Sequence, residues 1–438
     1  MAGEWPTVPL GSLAAEHDGA IAIGPFGSSM KANVYVPRGV PIIRGTNISS
    51  TRELIGEWVY IPETFADAMP RCVVRDGDLV FPHRGSIGEV ALVPSDHERY
   101  FLSTSCMKIT LDRNKADPRY VAYYFKSQAG RAEIMRFASQ VGTPGIGQPL
   151  TSLRRFNLPA PPVCVQRAIA DLLSSLDDKI ELNRRLAQSL EAIARLLFKS
   201  WFIDFAPVHA KAEGRPTGLP DSLAVLFPDS FGQDGLPQGW TEGSIADLAM
   251  INPVTPLTAK SAPYIDMAAL PTTGSQVTRV IVRAPGSGAR FRNGDTVVAR
   301  ITPCLENGKT ALIDCLDDNA VGWGSTEFIV LRPKSETPLA FPYLLARYQP
   351  FRDALIAAMS GTSGRQRVQA DAVARWPLAI PTKPVLSAFS LMTSPLFSRI
   401  TLLGRESSAL AVLHYALLPK LISGELQIRD VEKRDSAA

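Results

Sequence analysis

The feature that most restricts how this chain can fold is that it repeats itself at long range. Gly77-Asp78 opens the strand-like run VRDGDLVFPHRGSIGEVALV, and Gly294-Asp295 stands at the same point of FRNGDTVVARITPCLENGKTALI. STSCMKIT (103–110) is matched by GSTEFIVL (324–331), and GTPGIGQPL (142–150) by GTSGRQRVQ (361–369). RFNLPAPP (155–162) is matched by RWPLAIPT (375–382), and EWPTVPLGSLA near the start by GWTEGSIADLA (239–249). Five landmarks in one order, four of them offset by about 220 residues, imply the duplication of a domain with its connector. So long a period is not that of a solenoid.

Each repeat has a β-rich front and a helical back. The fronts are short apolar runs such as VPIIRGTNI, EWVYIP, DLVFPHRG and TVVARITP, broken by Gly, Pro, Asn and Asp. One helical segment lies inside each front, at 118–139 and 340–360. The back of the first repeat predicts a helix of roughly 55 Å at about 1.5 Å per residue. Its stripe is Leu172, Leu176, Ile180, Asn183, Leu186, Leu190, Ile193 and Leu197, with Asn183 as a polar register device in the seam. A rod of that length needs a partner to cover its stripe. Residues 384–422 supply one, with Leu391, Leu396, Ile400, Leu403, Leu410, Leu413, Leu417 and Leu421. Pro395 and Gly404 inside it predict a kink or break near each.

The expected fold is therefore α+β. Two similar β-rich domains are separated by two long antiparallel helices that form an intramolecular coiled coil, with a pseudo-two-fold repeat. The expected division is residues 1–163 for the first domain, 164–206 for the first helix and 207–236 for a connector with some local order. Residues 237–382 are the second domain, 383–424 the second helix and 425–438 a tail.

Composition narrows the function classes. The chain is 45% apolar and 20% charged, and no uninterrupted apolar run approaches the ~20 residues of a membrane span. MAGEWPTVPLGS has no basic start followed by an apolar core, so no secretory signal is expected. Five scattered cysteines without a C-x-x-C pair argue against a disulfide framework or zinc ribbon, and for a reducing cytoplasm. A net charge of +4 permits an anionic partner without demanding one.

The segment RITPCLENGK (300–309) resembles an active site at first sight. Cys304, however, has Pro303 and Leu305 beside it and no His in its own front domain, which favours a packed thiol. The five histidines form no H-x-x-H or H-E-x-x-H set, so no metal cluster is expected. Glu306 and Lys309 are spaced E-x-x-K, whereas a magnesium nuclease pattern wants E-x-K so that both side chains share a strand face. No Asn/Asp-Pro-Pro-aromatic loop is present for methyl transfer, and neither GTPGIGQ nor GTSGRQR is a phosphate loop with G-x-x-x-x-G-K-[ST]. No catalytic, cofactor-binding or metal-ligating residue is assigned.

What remains is a binder. Arg, Lys, Gln, Asn and Thr sit on Gly-rich turns in both halves: Arg44, Asn47, Arg84, Ser86, Thr143 and Gln148, then Arg300, Asn307, Lys309, Thr362, Arg365, Gln366 and Arg367. Arg offers a planar fork for phosphate or guanine, and Asn or Gln can grip adenine. Two like domains held apart would read two half-sites on double-stranded DNA. Because their loops differ, the half-sites would differ too.

Seven stretches in order then resemble the DNA-specificity subunits of type I restriction-modification systems. They are GTPGIGQPLTSL (142–153), LDDKIELNRRL (176–186), LFKSWFIDFAPV (197–208), ARITPCLENGKTA (299–311), GSTEFIVL (324–331), GTSGRQRV (361–368) and LLPKLISGEL (417–426). The resemblance covers nearly the whole chain. It implies that each front is a target recognition domain reading one half of a bipartite, asymmetric DNA sequence, and that the helices set the spacer. It also implies docking of two copies of a DNA methyltransferase, which would bring S-adenosylmethionine and methylate adenine, and of a restriction/translocase subunit. No membrane partner and no cofactor on this chain are implied. One departure is Leu413-His414-Tyr415, where such proteins often have Leu-Arg-Asp, which puts the partner contacts at that end in doubt. A single-chain restriction or modification enzyme and a free-standing DNA-binding regulator remain the alternatives.

Overall fold

The computed structural model describes residues 5–49, 54–139, 145–362 and 364–428. The chain divides into two units. One holds Met1–Asp178 with Leu410–Ala438, the other Lys179–Ala409. The helices are thus not separate domains. Each is shared, with the division at residues 178/179 and 409/410, because each unit builds part of both helices into its core.

In the first unit a four-stranded antiparallel sheet has the order Ile21–Ile23, Cys106–Ile109, Leu79–Pro82, Ala91–Leu92. A second sheet has the order Tyr60–Ile61, Val40–Ile43, Tyr100–Leu102, Val73–Val74, with its two middle strands parallel. Thr7–Pro9 pairs antiparallel with Asn157–Pro159. The strands at 40–43, 79–82 and 106–109 are buried along their whole length, which is why they read as apolar runs and not as alternations.

The second unit repeats this plan strand for strand. One sheet runs Ala249–Ile251, Phe328–Pro333, Thr296–Ala299, Thr310–Leu312. The other runs Ile281–Arg283, Ala262–Ile265, Val321–Gly324, Arg290–Arg292, again with a parallel middle pair. Thr241–Ser244 pairs with Pro377–Ile380. The duplication expected from the offset is therefore present as topology.

The Gly-Asp turns that revealed the repeat are held by the same device. Asp78 is buried with Lys108, Nζ to Oδ2 at 3.3 Å, and also accepts from the backbone N–H of Arg75 at 3.0 Å. Asp295 is buried with Arg332, whose Nε and Nη2 reach Oδ1 and Oδ2 at 2.7 Å each, and it accepts from the backbone N–H of Arg292 at 2.9 Å. The carboxylate closes the turn through the main chain, and a buried cation from the neighbouring strand balances it.

The helical segments inside the fronts are each broken once, where a single helix is expected from the sequence. The first is Pro118–Lys126 then Gln128–Met135, the second Ala340–Arg347 then Gln349–Ala357. Ser127 is extended, and its hydroxyl accepts from Gly130 N–H at 3.2 Å, an N-cap that restarts the helix. Tyr348 is likewise extended but makes no side-chain cap; there Pro350 takes an early helical position as the helix restarts.

The long helices are Val163–Phe202 and Lys383–Ser423. Within the second unit Asn183 meets Glu406 and Ser407 while Phe198 meets Phe389, so the helices run antiparallel. In the first unit Ile169, Ala170 and Leu173 share a core with Leu418, Leu421 and Ile422. By length and composition the second helix is apolar enough to cross a membrane. Much of that apolar character is used in these two cores.

The seam differs in two respects from the leucine stripe. Leu172, Leu186, Ile193 and Leu413 face solvent, as does Leu391. Leu176, Ile180, Leu190, Leu197, Leu410 and Leu417 are half-buried, and Leu403 and Leu421 are buried. The covered positions on the first helix include Leu173, Asn183, Glu191, Ala194 and Phe198. Spacing of three and four fits two neighbouring stripes, and the covered stripe of the first helix mixes Leu173 and Phe198 with small and hydrogen-bonding residues. Asn183 is in the seam as expected, its amide donating to Glu406 Oε2 at 2.9 Å.

The second helix is also unbroken at Pro395 and Gly404. Pro395 deprives the Leu391 carbonyl of its donor, but on an exposed face, where water can replace it. At Gly404 a Cβ would stand 2.0 Å from Gln276 Nε2, which donates to the Ile400 carbonyl at 2.8 Å. The glycine makes room for that bond; it does not end the helix.

The connector belongs to the second unit's core. Val208 and Phe227 are fully buried, and Phe227 stacks edge-on against Trp201 at 4.9 Å between centroids.

Candidate nucleic-acid interface

In each unit the loops singled out by the sequence emerge from strand ends of the two sheets. The strand at 79–82 ends opposite Cys106, and the strand at 40–43 ends beside Leu102. Their loops are tied there: Ser103 N–H donates to the Ile43 carbonyl at 3.0 Å, and His83 N–H to the Ser105 carbonyl at 2.8 Å. A third loop joins them, because Ile146 N–H donates to the His83 carbonyl at 2.9 Å and Arg84 bridges to Gly145.

The second unit repeats the connections at 83, 84 and 146 at matching positions. Arg300 N–H donates to the Glu327 carbonyl at 2.9 Å, Val368 N–H donates to the Arg300 carbonyl at 2.9 Å, and Ile301 bridges to Arg367. HRGSIG is thereby brought against GIGQ, and RITPCLENGK against GRQR. The frame is identical and the side chains on it are not: Arg300 stands where His83 stands, and Ile301 where Arg84 stands.

The side chains divide into two groups. Arg84, Gln148, Asn307, Thr362 and Arg365 are exposed, and Ser86 and Gln366 are half-buried. Arg84 and Arg365 form no ion pair among the described residues. A second group is committed to holding the loops. Asn47 is fully buried, its amide donating to the Ile55 carbonyl at 2.9 Å and the Glu57 carbonyl at 3.2 Å, while its oxygen accepts from Arg44 N–H at 3.1 Å. As a base-gripping residue it is corrected: its polar atoms are already used. Arg44 donates to the Glu57 carbonyl. Lys309 donates through Nζ to the Met267 carbonyl at 2.7 Å. Arg367 forks onto Glu327, with Nε at 2.9 and 3.0 Å and Nη2 at 2.7 Å, and Arg300 Nε lies 3.8 Å from the same carboxylate. The Arg367 hydrogen bonds hold the Glu327 carboxyl below its usual range. Thr143 lies outside the described residues.

His83 is buried, with Nε2 3.2 Å from the Thr104 carbonyl, and burial pushes its pKa down. It therefore stays neutral near pH 7 and serves the frame. Cys304 is half-buried and free.

A polar relay in the second unit escaped the sequence reading. Arg347, on the inner helix, is buried and donates to the carbonyls of Thr272, Gly308 and Thr310 at 2.8 Å each, and to those of Pro271 and Gly274. Its Nε donates to Tyr343 Oη at 3.1 Å, and Tyr343 donates in turn to Glu191 Oε1 at 2.7 Å on the first long helix. One guanidinium thus fastens the end of the 300–309 loop to the helix. The only hint in the sequence is a cation inside the apolar run AFPYLLAR. Gly308 has φ +72, and a Cβ there would stand 2.2 Å from Arg352 Nη1, so this loop end needs glycine.

Comparison with known proteins bears on this arrangement. Residues 29–192 match the family described as type I restriction modification DNA specificity domain. The chain is 24% identical over 404 residues to the specificity subunit of the type I restriction enzyme HindI of Haemophilus influenzae, covering 81% of this chain and 87% of that one. It is 22% identical over 382 residues to the specificity subunit of the type I restriction enzyme MjaIX of Methanocaldococcus jannaschii, covering 83% and 82%. Among solved structures, the S subunit of a type I restriction-modification system from M. genitalium aligns with a TM-score of 0.56 at 16% identity, over 95% of this chain and 96% of that one. That likeness is one of fold.

Proposed function

We propose, from the premise that this chain belongs to the DNA-specificity subunits of type I restriction-modification systems, that each unit reads one half of a bipartite, asymmetric DNA target. The observation that carries this is the matching backbone frame in both units, presenting Arg84, Ser86 and Gln148 in one and Asn307, Thr362, Arg365 and Gln366 in the other. Backbone anchorage fixes where the reading groups stand, and different side chains ask for different bases. Two copies of a DNA methyltransferase, carrying S-adenosylmethionine, take adenine methylation to the site this chain selects. A restriction/translocase subunit joins for cleavage. The assembly works in the cytoplasm.

The test is to map methylated adenines on genomic DNA treated with the methyltransferase partner, with and without this chain. A two-part motif that appears only with the chain supports the reading. Equal methylation without it overturns the reading.

The helices set the spacer. A turn removed from each helix near the Asn183–Glu406 contact shortens the rod by about 5.4 Å, roughly one and a half base-pair rises. The mapped motif is expected to lose one or two unspecified bases and keep both half-sites. Altered half-site bases in the same mapping would contradict this.

A further inference from the structure

We propose that the outer strand Ile281–Arg283 of the second unit is a phosphate-backbone contact centred on Arg283. The proposal rests on the reading that this unit binds duplex DNA.

Four observations carry it. First, residues 249–294 hold Lys260, Arg279, Arg283, Arg290 and Arg292 against a single acid, Asp266, and Arg279 already pairs with that acid. Second, Arg283 is exposed and forms no ion pair among the described residues. Its guanidinium lies 4.6 Å from the Tyr264 ring centroid and 5.2 Å from that of Trp323, two rings themselves 4.5 Å apart. The stack holds the guanidinium in place by one flat side and leaves its donors free, which lowers the ordering cost of gripping an anion.

Third, the strand is the edge of the sheet whose inner strands lead into the reading edge. Ile265 runs into the turn that receives Lys309, and Gly324 runs into Ser325–Glu327, beside Arg367. Fourth, the frame itself does not require this cation. In the first unit the position matching Arg283 is Ile61, and that matching Tyr264 is Ile42, both buried. There the edge is core, packed with Ala66 and Val40. A fold-only account would put an apolar residue at 283; the second unit has a mounted cation in solvent.

A phosphate contact positions the protein without choosing bases. Arg283→Ala in the assembled methyltransferase complex is therefore expected to weaken binding to cognate and unrelated duplexes alike, by about five- to tenfold. The slope of log affinity against log salt should become shallower by about one. The mapped methylation motif should not change. Arg283→Lys keeps the charge and should keep most of the slope, although it binds less tightly. Both substitutions are at an exposed site, and unchanged melting curves would show that folding is intact. An unchanged salt slope in Arg283→Ala overturns the proposal, as does a loss confined to cognate DNA, which would make Arg283 a base reader. If the wild-type complex bound no DNA, this proposal and the function proposed above would both fall. If only the variant were indifferent, this one alone would fall.

Discussion

Replacing Arg347 with Ala is expected to cost roughly 3 kcal/mol or more and, on the proposed reading of two half-sites, to blur one half of the recognised motif. Five backbone carbonyls and the Tyr343 hydroxyl accept from this one buried group. Leaving several buried acceptors without a donor is among the costlier single changes. Water can enter the gap and recover part of the loss, so the figure is an order of magnitude. Arg347→Lys keeps the charge but can reach fewer of these carbonyls, and should fall between. Tyr343→Phe removes the link to Glu191 and should cost about 1–2 kcal/mol. Urea unfolding checks the energies, provided the slope m is unchanged. Methylation mapping checks the consequence: tolerance of mismatches should rise in the half-site read by the second unit and stay put in the other. Equal loss of both halves would show general instability and remove the positioning role.

The second large effect concerns the buried pair Asp295–Arg332. Asp295→Ala leaves a guanidinium buried beside Thr255 with no counter-charge, and roughly 3–5 kcal/mol should be lost. The informative variant is the double change Asp295→Leu with Arg332→Met. Removing both charges spares the cost of the unpaired one, so the double variant should be more stable than Asp295→Ala. The Asp78–Lys108 pair in the first unit makes a longer contact, 3.3 Å against 2.7 Å, and Lys108 also donates to the Val73 carbonyl at 2.7 Å. Asp78→Ala should therefore be the milder of the two single changes. Melting of both variants side by side checks the order; a milder loss in Asp295→Ala would mean that the bidentate geometry contributes little.

What the sequence disclosed, and what it withheld, follows from the range of the forces involved. The duplication was legible because strand order depends on apolar runs and turn residues that recur at a steady offset, and Gly77-Asp78 and Gly294-Asp295 do mark the same turn. The loops at 82–86 and 299–309 were legible as a pair for the same reason. The helix seam was legible only as a direction. A spacing of three and four admits two adjacent stripes, and the choice of Leu173 over Leu172 is made by the partner surface. The breaks at Ser127 and Tyr348 depend on a cap and a proline whose effect an apolar pattern hides. The roles of Asn47, Lys309 and Arg367 were out of reach, since a polar residue on a turn looks the same whether it faces a ligand or a carbonyl or carboxylate folded back from 10 or 40 residues away. Arg347 was out of reach for the opposite reason: inside an apolar helix nothing local explains it.

At 83, 84, 300 and 301 the bonds that tie one reading loop to the next join backbone to backbone. They are therefore indifferent to which side chain stands at 83, 84, 300 or 301, as His, Arg, Arg and Ile in those places already illustrate. On the proposed reading, selection can rewrite the address a unit answers to at these positions while its socket stays fixed, and each such rewrite is spared the folding cost that ordinarily limits how fast a protein changes what it recognises.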